Sequence, residues 1–237
     1  MMRRALVSLR RVNSSIPEVL VTHISCWCCQ IPIDRCQSFC PYCGKITDND
    51  RPRASGIAPC NHFELLGLDA SGSFMLDSKD LEQRYRKLAM KLHPDRFANA
   101  PKREQELSAM HAARLNGAYQ TLKSPLRRAI YLLDLQGVKH ALGEDEEDTH
   151  RAPTNLSTLT ETMELREQVE DANTEKAQIQ LLEEVESRIL EVERELACAI
   201  GDPQLIDLSV STAVRLRFLE KVREELKEKI SGGPMAL

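Results

Sequence analysis

The sequence predicts an all-α protein: a helical hairpin, then a C-terminal three-helix bundle, preceded by a small tetracysteine, zinc-type segment. Three observations carry this. After residue 60, apolar residues recur every three or four positions over long stretches, the period of one helix face. Glycine is scarce, ten in 237 residues, and aromatic content is 4%, which suits helices with aliphatic stripes and argues against a large aromatic-rich core. Seven of the eight cysteines crowd into residues 26–60, a segment too small to bury a core of its own.

The first 22 residues begin MMRRALVSLRRVNSSIP, with four arginines and no acidic residue before Glu18. Apolar residues separate the basic ones. This is the composition of a mitochondrial transit peptide, and it predicts a matrix location while leaving open a cytosolic pool. Arginines interrupt what would be the apolar core of a secretory signal. No apolar run is long enough to span a bilayer.

Residues 23–46 contain CWCCQIPIDRCQSFCPYC. Two C-x-x-C units can be drawn, Cys26/Cys29 and Cys40/Cys43. Four thiolates on two such knuckles can close a tetrahedral shell, and zinc is the metal that this ligand set suits best. Cys28 and Cys36 could replace one of the four, so spacing alone leaves the register open. CPYC by itself matches a thiol–disulfide oxidoreductase site using Cys40 and Cys43. That chemistry needs the first thiol at a helix N-terminus, and the polar run GKITDNDRPRASG that follows offers no helix. A reducing compartment also disfavours a disulfide framework. Cys198, alone in a helical pattern, is expected to be a small buried apolar residue.

Residues 47–60 read as a linker. In residues 61–137, NHFELLGL is a helical turn stopped at Gly67. Asp77 or Ser78 can cap the next helix. Leu81, Tyr85, Leu88 and Leu92 make its apolar face, and Arg84, Lys87 and Lys91 a basic stripe beside it. Pro94 ends it. A second helix runs from about Lys102 to Lys123 with Leu107, Met110, Ala118 and Leu122 on its apolar side. Ser124-Pro125 stops it, and LRRAIYLLDLQG follows. The two long helices make an antiparallel hairpin with His93-Pro94-Asp95 at its exposed end. Residues 138–156 are an acidic linker. Residues 157–232 read as three helices: about 157–172 with Leu159, Met163 and Leu165, about 174–199 with Leu182, Val185, Ile189, Val192 and Leu196, and about 204–230 with Leu216, Leu219, Val222, Leu226 and Ile230.

Charge is unevenly divided. Residues 1–140 carry a net +8 and residues 141–237 a net −12. Two halves of opposite sign imply different partners. Neither half has the dense basic run of a nucleic-acid binder. His93 and Asp95 could form an acid–base pair, but no third orienting group stands near them, and no glycine-rich phosphate cradle occurs anywhere. A loop tip beside a basic stripe is instead a surface for an acidic partner.

HPDRF after a basic helix, then NGAYQTLKSPLRRAIYLLDLQG, resembles a J-domain. N-x-A-Y-x-T-L, S-P-L-x-R-A and the later ELRE and LRFL narrow the resemblance to the HscB family of iron–sulfur cluster co-chaperones, from about Asn61 to Ile230. The tetracysteine ahead of a J-domain is similar to the animal mitochondrial members. The resemblance implies a protein that does no chemistry itself. His93, Pro94 and Asp95, with Arg84, Lys87 and Lys91, would dock on a mitochondrial DnaK-type chaperone and stimulate its ATP hydrolysis. The C-terminal bundle would hold an IscU-type cluster scaffold through Leu159, Met163, Glu164, Glu167 and Phe218. Thr160 departs from the family pattern, where a larger apolar residue is common. The alternatives are a J-protein with another client and the oxidoreductase. Neither a membrane nor nucleic acid is implied as a partner, and self-association into a homo-oligomer is left open.

Overall fold

The computed structural model describes residues 23–48, 60–69, 72–138 and 156–231. The transit peptide and most of both linkers predicted above lie outside the described residues. The chain divides into two compact units, Met1–Cys60 and Asn61–Leu237.

The first unit is small and held by local geometry. Strands β1 (His23–Ser25) and β2 (Pro32–Asp34) pair antiparallel with Ile24 opposite Ile33. Strands of three residues are too short to show an alternating pattern, so the sequence gives no sign of them. Its core is Ile24, Ile33, Cys26 and Cys40, with Cys29 and Cys43 packed against it. Trp27 closes one side, its indole N–H donating to the Ile46 carbonyl at 2.7 Å. Cys36 and Cys60 form a disulfide, with their Cα atoms 5.5 Å apart. This corrects the expectation of reduced thiols throughout and leaves Cys36 outside the four-thiol cluster.

The second unit is helical. It contains α1 (His62–Leu65), α2 (Ser78–Leu92), α3 (Lys102–Lys123), α4 (Pro125–Leu135), α5 (Leu156–Asp171), α6 (Glu175–Ala199) and α7 (Ile206–Ser231). Asn61 and Glu64 exchange side-chain-to-backbone bonds of 2.8 and 2.9 Å, a capping box that starts α1. Asp77 caps α2 by accepting the Lys79 N–H. Ser124 caps α4, and Pro125 occupies its first turn, where no backbone N–H is required.

Helix α3 is the centre of the hairpin. Its buried residues Glu104, Leu107, Ser108, His111, Leu115, Ala118, Tyr119 and Leu122 recur by threes and fours, whereas Met110 is half-buried. The wider set includes residues too polar for a search based on hydrophobicity. On α2, Leu81 and Leu92 are fully buried, while Tyr85 and Leu88 are half-buried. Tyr85 stacks on Tyr119 at 4.1 Å and donates to Asn116 at 2.6 Å, fastening α2 to α3. Arg128 on α4 is buried, donates to the carbonyls of Leu122 and Phe74, and lies over the Phe74 ring.

In the C-terminal part, α6 and α7 form the main pair, with α5 against both. Leu181, Val185, Ile189, Val192 and Leu196 fill the α6 side, so the inward residue of the first turn is Leu181 rather than Leu182. Leu216, Leu219, Val222 and Leu226 fill the α7 side. Cys198 is exposed, which corrects its expected burial: it lies off the stripe that carries Leu196 and Ala199 inward. Helix α4 packs on α7, and the Gln136 amide donates to the Ile200 carbonyl, so hairpin and bundle belong to one unit.

Gly72 sits where the loop before α2 crosses the hairpin core. Its φ is +72°, and a Cβ there would come within 2.9 Å of Leu132 and 3.3 Å of Phe63. Gly72→Ala should cost about 2 kcal/mol, from the left-handed backbone and the collision together. Thermal unfolding followed by circular dichroism should show a midpoint lower by roughly 4–8 °C. An unchanged midpoint would mean that the loop moves aside freely.

Candidate functional site

The turn at the end of α2 is built by burial on one side and exposure on the other. Leu92 is 1% exposed, and its carbonyl accepts the buried Ser108 hydroxyl at 2.8 Å. Pro94 then forbids helix continuation, and Pro94–Phe97 forms a short 3-10 turn. The backbone N–H of Asp95 donates to His93 Nδ1 at 3.3 Å, and that nitrogen stands 3.5 Å from the Asp95 carboxylate. From α3, Gln105 donates to the carbonyls of Ala98 and Ala100. The side chains of His93 and Asp95 are 59% and 88% exposed. Two groups this open to water have no desolvated cleft in which to move a proton, so the geometry is that of a recognition tip. Sequence reading missed Ser108 and Gln105. The only signal was a serine standing on the inward stripe of α3.

The basic stripe is less uniform than its spacing suggests. Lys87 and Lys91 are exposed. Arg84 is held by Asp80 at 2.8 Å and donates to the Gly67 carbonyl. It braces α2 against the turn after α1, and its charge is partly spent there.

A second surface lies on α5. Its inward residues are Thr158, Thr162, Leu165 and Val169. Leu159 and Met163 therefore point away from the core, 45% and 57% exposed, with Leu156 at 76% beside them. Of the three residues read as its apolar side, only Leu165 faces inward. Glu164 and Glu167 are exposed on the same helix. The Thr160 hydroxyl bonds the Leu156 carbonyl at 3.0 Å, so this residue of the face is satisfied within its own helix. Phe218 on α7 is half-buried, one turn beyond Arg215. Arg215 grips Glu161 on α5 through contacts of 2.8 and 3.0 Å, and Arg188 on α6 reaches the same carboxylate at 3.4 Å. Glu161 thus joins all three helices of the bundle. No spacing in the sequence announces this, because the partners lie 27 and 54 residues away.

The four thiols of Cys26, Cys29, Cys40 and Cys43 lie within 4.8 Å of one another. The Cys26–Cys43 and Cys29–Cys40 sulfurs are each 3.7 Å apart. A tetrahedron with metal–sulfur bonds of about 2.3 Å has edges of about 3.8 Å, so the cluster matches a divalent ion held by four thiolates. The two knuckles repeat one geometry. The N–H of Gln30 bonds the Cys26 carbonyl and that of Gly44 the Cys40 carbonyl, at 3.0 and 2.9 Å. Gln30 and Gly44 both take left-handed backbone, with φ of 62° and 71°. The repeat fixes the register and leaves Cys28 outside it, exposed. Burial works to raise the Cys40 thiol, but the backbone N–H groups of Cys43 and Tyr42 and the Cys43 and Cys29 thiols outweigh it and bring it to about 7. The backbone bond at Lys45 works to lower Cys43, but burial and the surrounding thiols push it up to about 12. Successive thiolates resist one another here, which a divalent cation relieves. The Cys40-Pro41-Tyr42-Cys43 run forms a turn, and the described residues that follow it, 44–48, are not helical, unlike a dithiol redox centre.

Hairpin, tip and basic face define the class, a J-domain protein, which is a regulator of a partner chaperone rather than an enzyme. Comparisons place it further. Residues 61–131 match the DnaJ domain, and residues 154–227 match the HSCB C-terminal oligomerisation domain. A co-chaperone protein HscB homolog of Aeromonas salmonicida (strain A449) is 40% identical over 174 residues, covering 70% of this chain and 94% of the relative. The solved chaperone HscB of Vibrio cholerae is 32% identical with a TM-score of 0.62, covering 73% of this chain and 98% of that one. The crystal structure of human co-chaperone protein HscB is 26% identical with a TM-score of 0.69, covering 87% and 98%. The chain belongs to the HscB co-chaperone family.

Two measurements follow. Added Co²⁺ should give the visible band of a tetrahedral tetrathiolate site in the wild type and in Cys28→Ser, and no such band in Cys40→Ser. A band that survives Cys40→Ser would reject this ligand set. The second concerns acid. The Arg215 hydrogen bond first, and the charges of Arg215 and Arg188 after it, hold the Glu161 carboxyl below its ordinary value of 4.5, against the opposing effect of burial. A group depressed in the folded state stabilises above its unfolded value and loses that contribution as pH falls through the folded one. Glu161→Gln should therefore cost on the order of 2 kcal/mol at neutral pH, and less as the pH drops below about 4. Equal losses at both ends of a urea-denaturation pH series would show that the carboxylate charge is not responsible.

Proposed function

We propose that this protein is a mitochondrial co-chaperone of iron–sulfur cluster assembly, with separate surfaces for a chaperone and for a client. His93, Pro94 and Asp95, with Lys87 and Lys91 beside them and Arg84 as both brace and contact, dock on the acidic face of a DnaK-type chaperone and accelerate its ATP hydrolysis. Leu159, Met163, Glu164 and Glu167 on α5, with Phe218 on α7, receive an IscU-type scaffold. Acceleration of the chaperone cycle promotes transfer of the cluster to acceptor proteins. Cys26, Cys29, Cys40 and Cys43 hold a structural zinc ion. The arginine-rich start of the chain supports a matrix location.

The observation that carries this reading is the exposure of Leu159 and Met163 while the threonines of the same helix are buried. Burying two such apolar side chains against a partner is worth about 1.5–3 kcal/mol each at full burial, enough to anchor an interface. The exposed, rigid tip of α2 supplies the other contact. Preorganisation there lowers the ordering cost of docking.

The test is steady-state ATP hydrolysis by a mitochondrial DnaK-type chaperone with this protein, with and without the scaffold. Asp95→Asn should remove the stimulation, leaving the circular dichroism spectrum unchanged. Met163→Ala combined with Phe218→Ala should leave basal stimulation intact and weaken the scaffold-dependent increment at least tenfold in half-saturating concentration. Stimulation by Asp95→Asn equal to wild type would reject the tip assignment. Stimulation indifferent to the scaffold would leave a J-protein with another client.

A further inference from the structure

One feature of the second unit has no part in those contacts. Between α4 and α7, where the hairpin meets the bundle, lies a groove of about 810 Å³ open to solvent. Lys123 and Arg127 stand on the hairpin wall, and Arg217, Lys221 and Arg223 on the α7 wall. Two carboxylates, Glu220 and Glu224, also line it. Five cations against two anions leave the groove positive. This is out of keeping with its surroundings, since residues 141–237 carry a net −12.

The positive charge is offset only in part by Glu220 and Glu224. Arg223 has its nearest carboxylate oxygen, that of Glu220, at 3.7 Å, and its Nε is buried without an acceptor. Lys221 forms no ion pair among the described residues, and Arg127 is exposed. The α4 N-terminus, at Ser124 and Pro125, opens into the same space and adds its positive end. Leu126 and Ile130, half-buried on α4, contribute apolar lining.

We propose that this groove docks an acidic peptide segment of a partner protein, with spaced carboxylates for the two basic walls and an apolar side chain for Leu126 and Ile130. The cations are spread over two walls, the hairpin and α7, which suits separated charges better than a single small anion. Among the described residues no aromatic ring lines the groove to stack a base, and Glu220 and Glu224 would repel a phosphate backbone. A segment bound there would touch hairpin and bundle at once. The site is separate from the tip of α2 and from the exposed face of α5, and the proposal does not depend on what those surfaces bind.

The test uses the full chain and a fluorescein-labelled peptide of alternating glutamate and leucine, read by anisotropy. Saturable binding that weakens with salt is expected, at least tenfold weaker for Arg127→Glu with Lys221→Glu and unchanged for Lys176→Glu on α6. Lys221→Gln, expected to weaken binding by about threefold, is measured beside the double variant in case the reversal disturbs the α4–α7 contact. Absence of saturable binding overturns the proposal, as does equal binding by both groove variants. Equally tight binding of tripolyphosphate or a thymidine oligonucleotide at the same site would make it a general polyanion groove and overturn the peptide assignment. Binding seen only after Glu144, Asp145, Glu146, Glu147 and Asp148 are neutralised would name the chain's own acidic stretch as the occupant, with the same consequence.

Discussion

The last residue of α2 has to be buried for everything beyond it to be presented. Leu92 is fixed in the hairpin core, and its carbonyl is taken by a hydroxyl from α3. A free helix end would fray, because its final carbonyls have no partners within the helix. Here the end is held from outside, and proline allows the chain one way onward. The 3-10 turn that follows inherits that rigidity, helped by Gln105 bonding two of the carbonyls beyond it. His93 and Asp95 can then be largely exposed to water and still stand in one geometry. The tyrosine stack between α2 and α3 serves the same end from the other side of the hairpin.

The bundle solves a similar problem with charge. Helix α5 buries only two aliphatic residues and two threonines along its length, a thin apolar stripe for sixteen residues. Glu161 compensates by meeting an arginine from each neighbouring helix. Lys229 adds a bond from the end of α7 to the Val169 carbonyl at 2.5 Å. Polar clamps fix orientation more tightly than a few aliphatic contacts, because their partners and angles are specified. The face opposite the stripe is thereby held outward.

These details explain what could be read from the chain and what could not. Helices were legible because their stripes and stops are local: Pro94, Ser124-Pro125 and Gly201-Asp202-Pro203 stand at or beside element ends. The tetracysteine was legible as two pairs, but only the repeated knuckle geometry at Gln30 and Gly44 separates Cys26, Cys29, Cys40 and Cys43 from Cys28. Periodicity failed on α5 for a physical reason. A hydrophobic count seeks the apolar face and finds Leu159 and Met163, whereas the helix is anchored by threonines and by Glu161. Contacts remote in sequence were invisible for the same reason: Arg84 to Gly67, Arg215 to Glu161 and Cys36 to Cys60 depend on the fold that brings them together.

The inversion on α5 also bears on why the helix looks as it does. A helix that needed only to be stable would turn Leu159 and Met163 inward and leave Thr158 and Thr162 to the water. Each exposed apolar side chain forgoes burial, and each buried threonine needs a hydrogen bond; Thr162 finds its partner in the Thr158 carbonyl at 2.7 Å. The arrangement gives up stability to keep an apolar face in solvent, and the Glu161 clamp prevents the helix from rolling to recover it. The surface on α2 needs no such sacrifice, because Lys87 and Lys91 are charged side chains left in water. Helix α4 packs on α7, so these two surfaces belong to one folded unit with a continuous series of packed helices between them. A chain without chemistry of its own can act by holding two partners in a set relation. That requires an apolar face kept in solvent against the fold's own stability and a body stiff enough to hold the two surfaces apart.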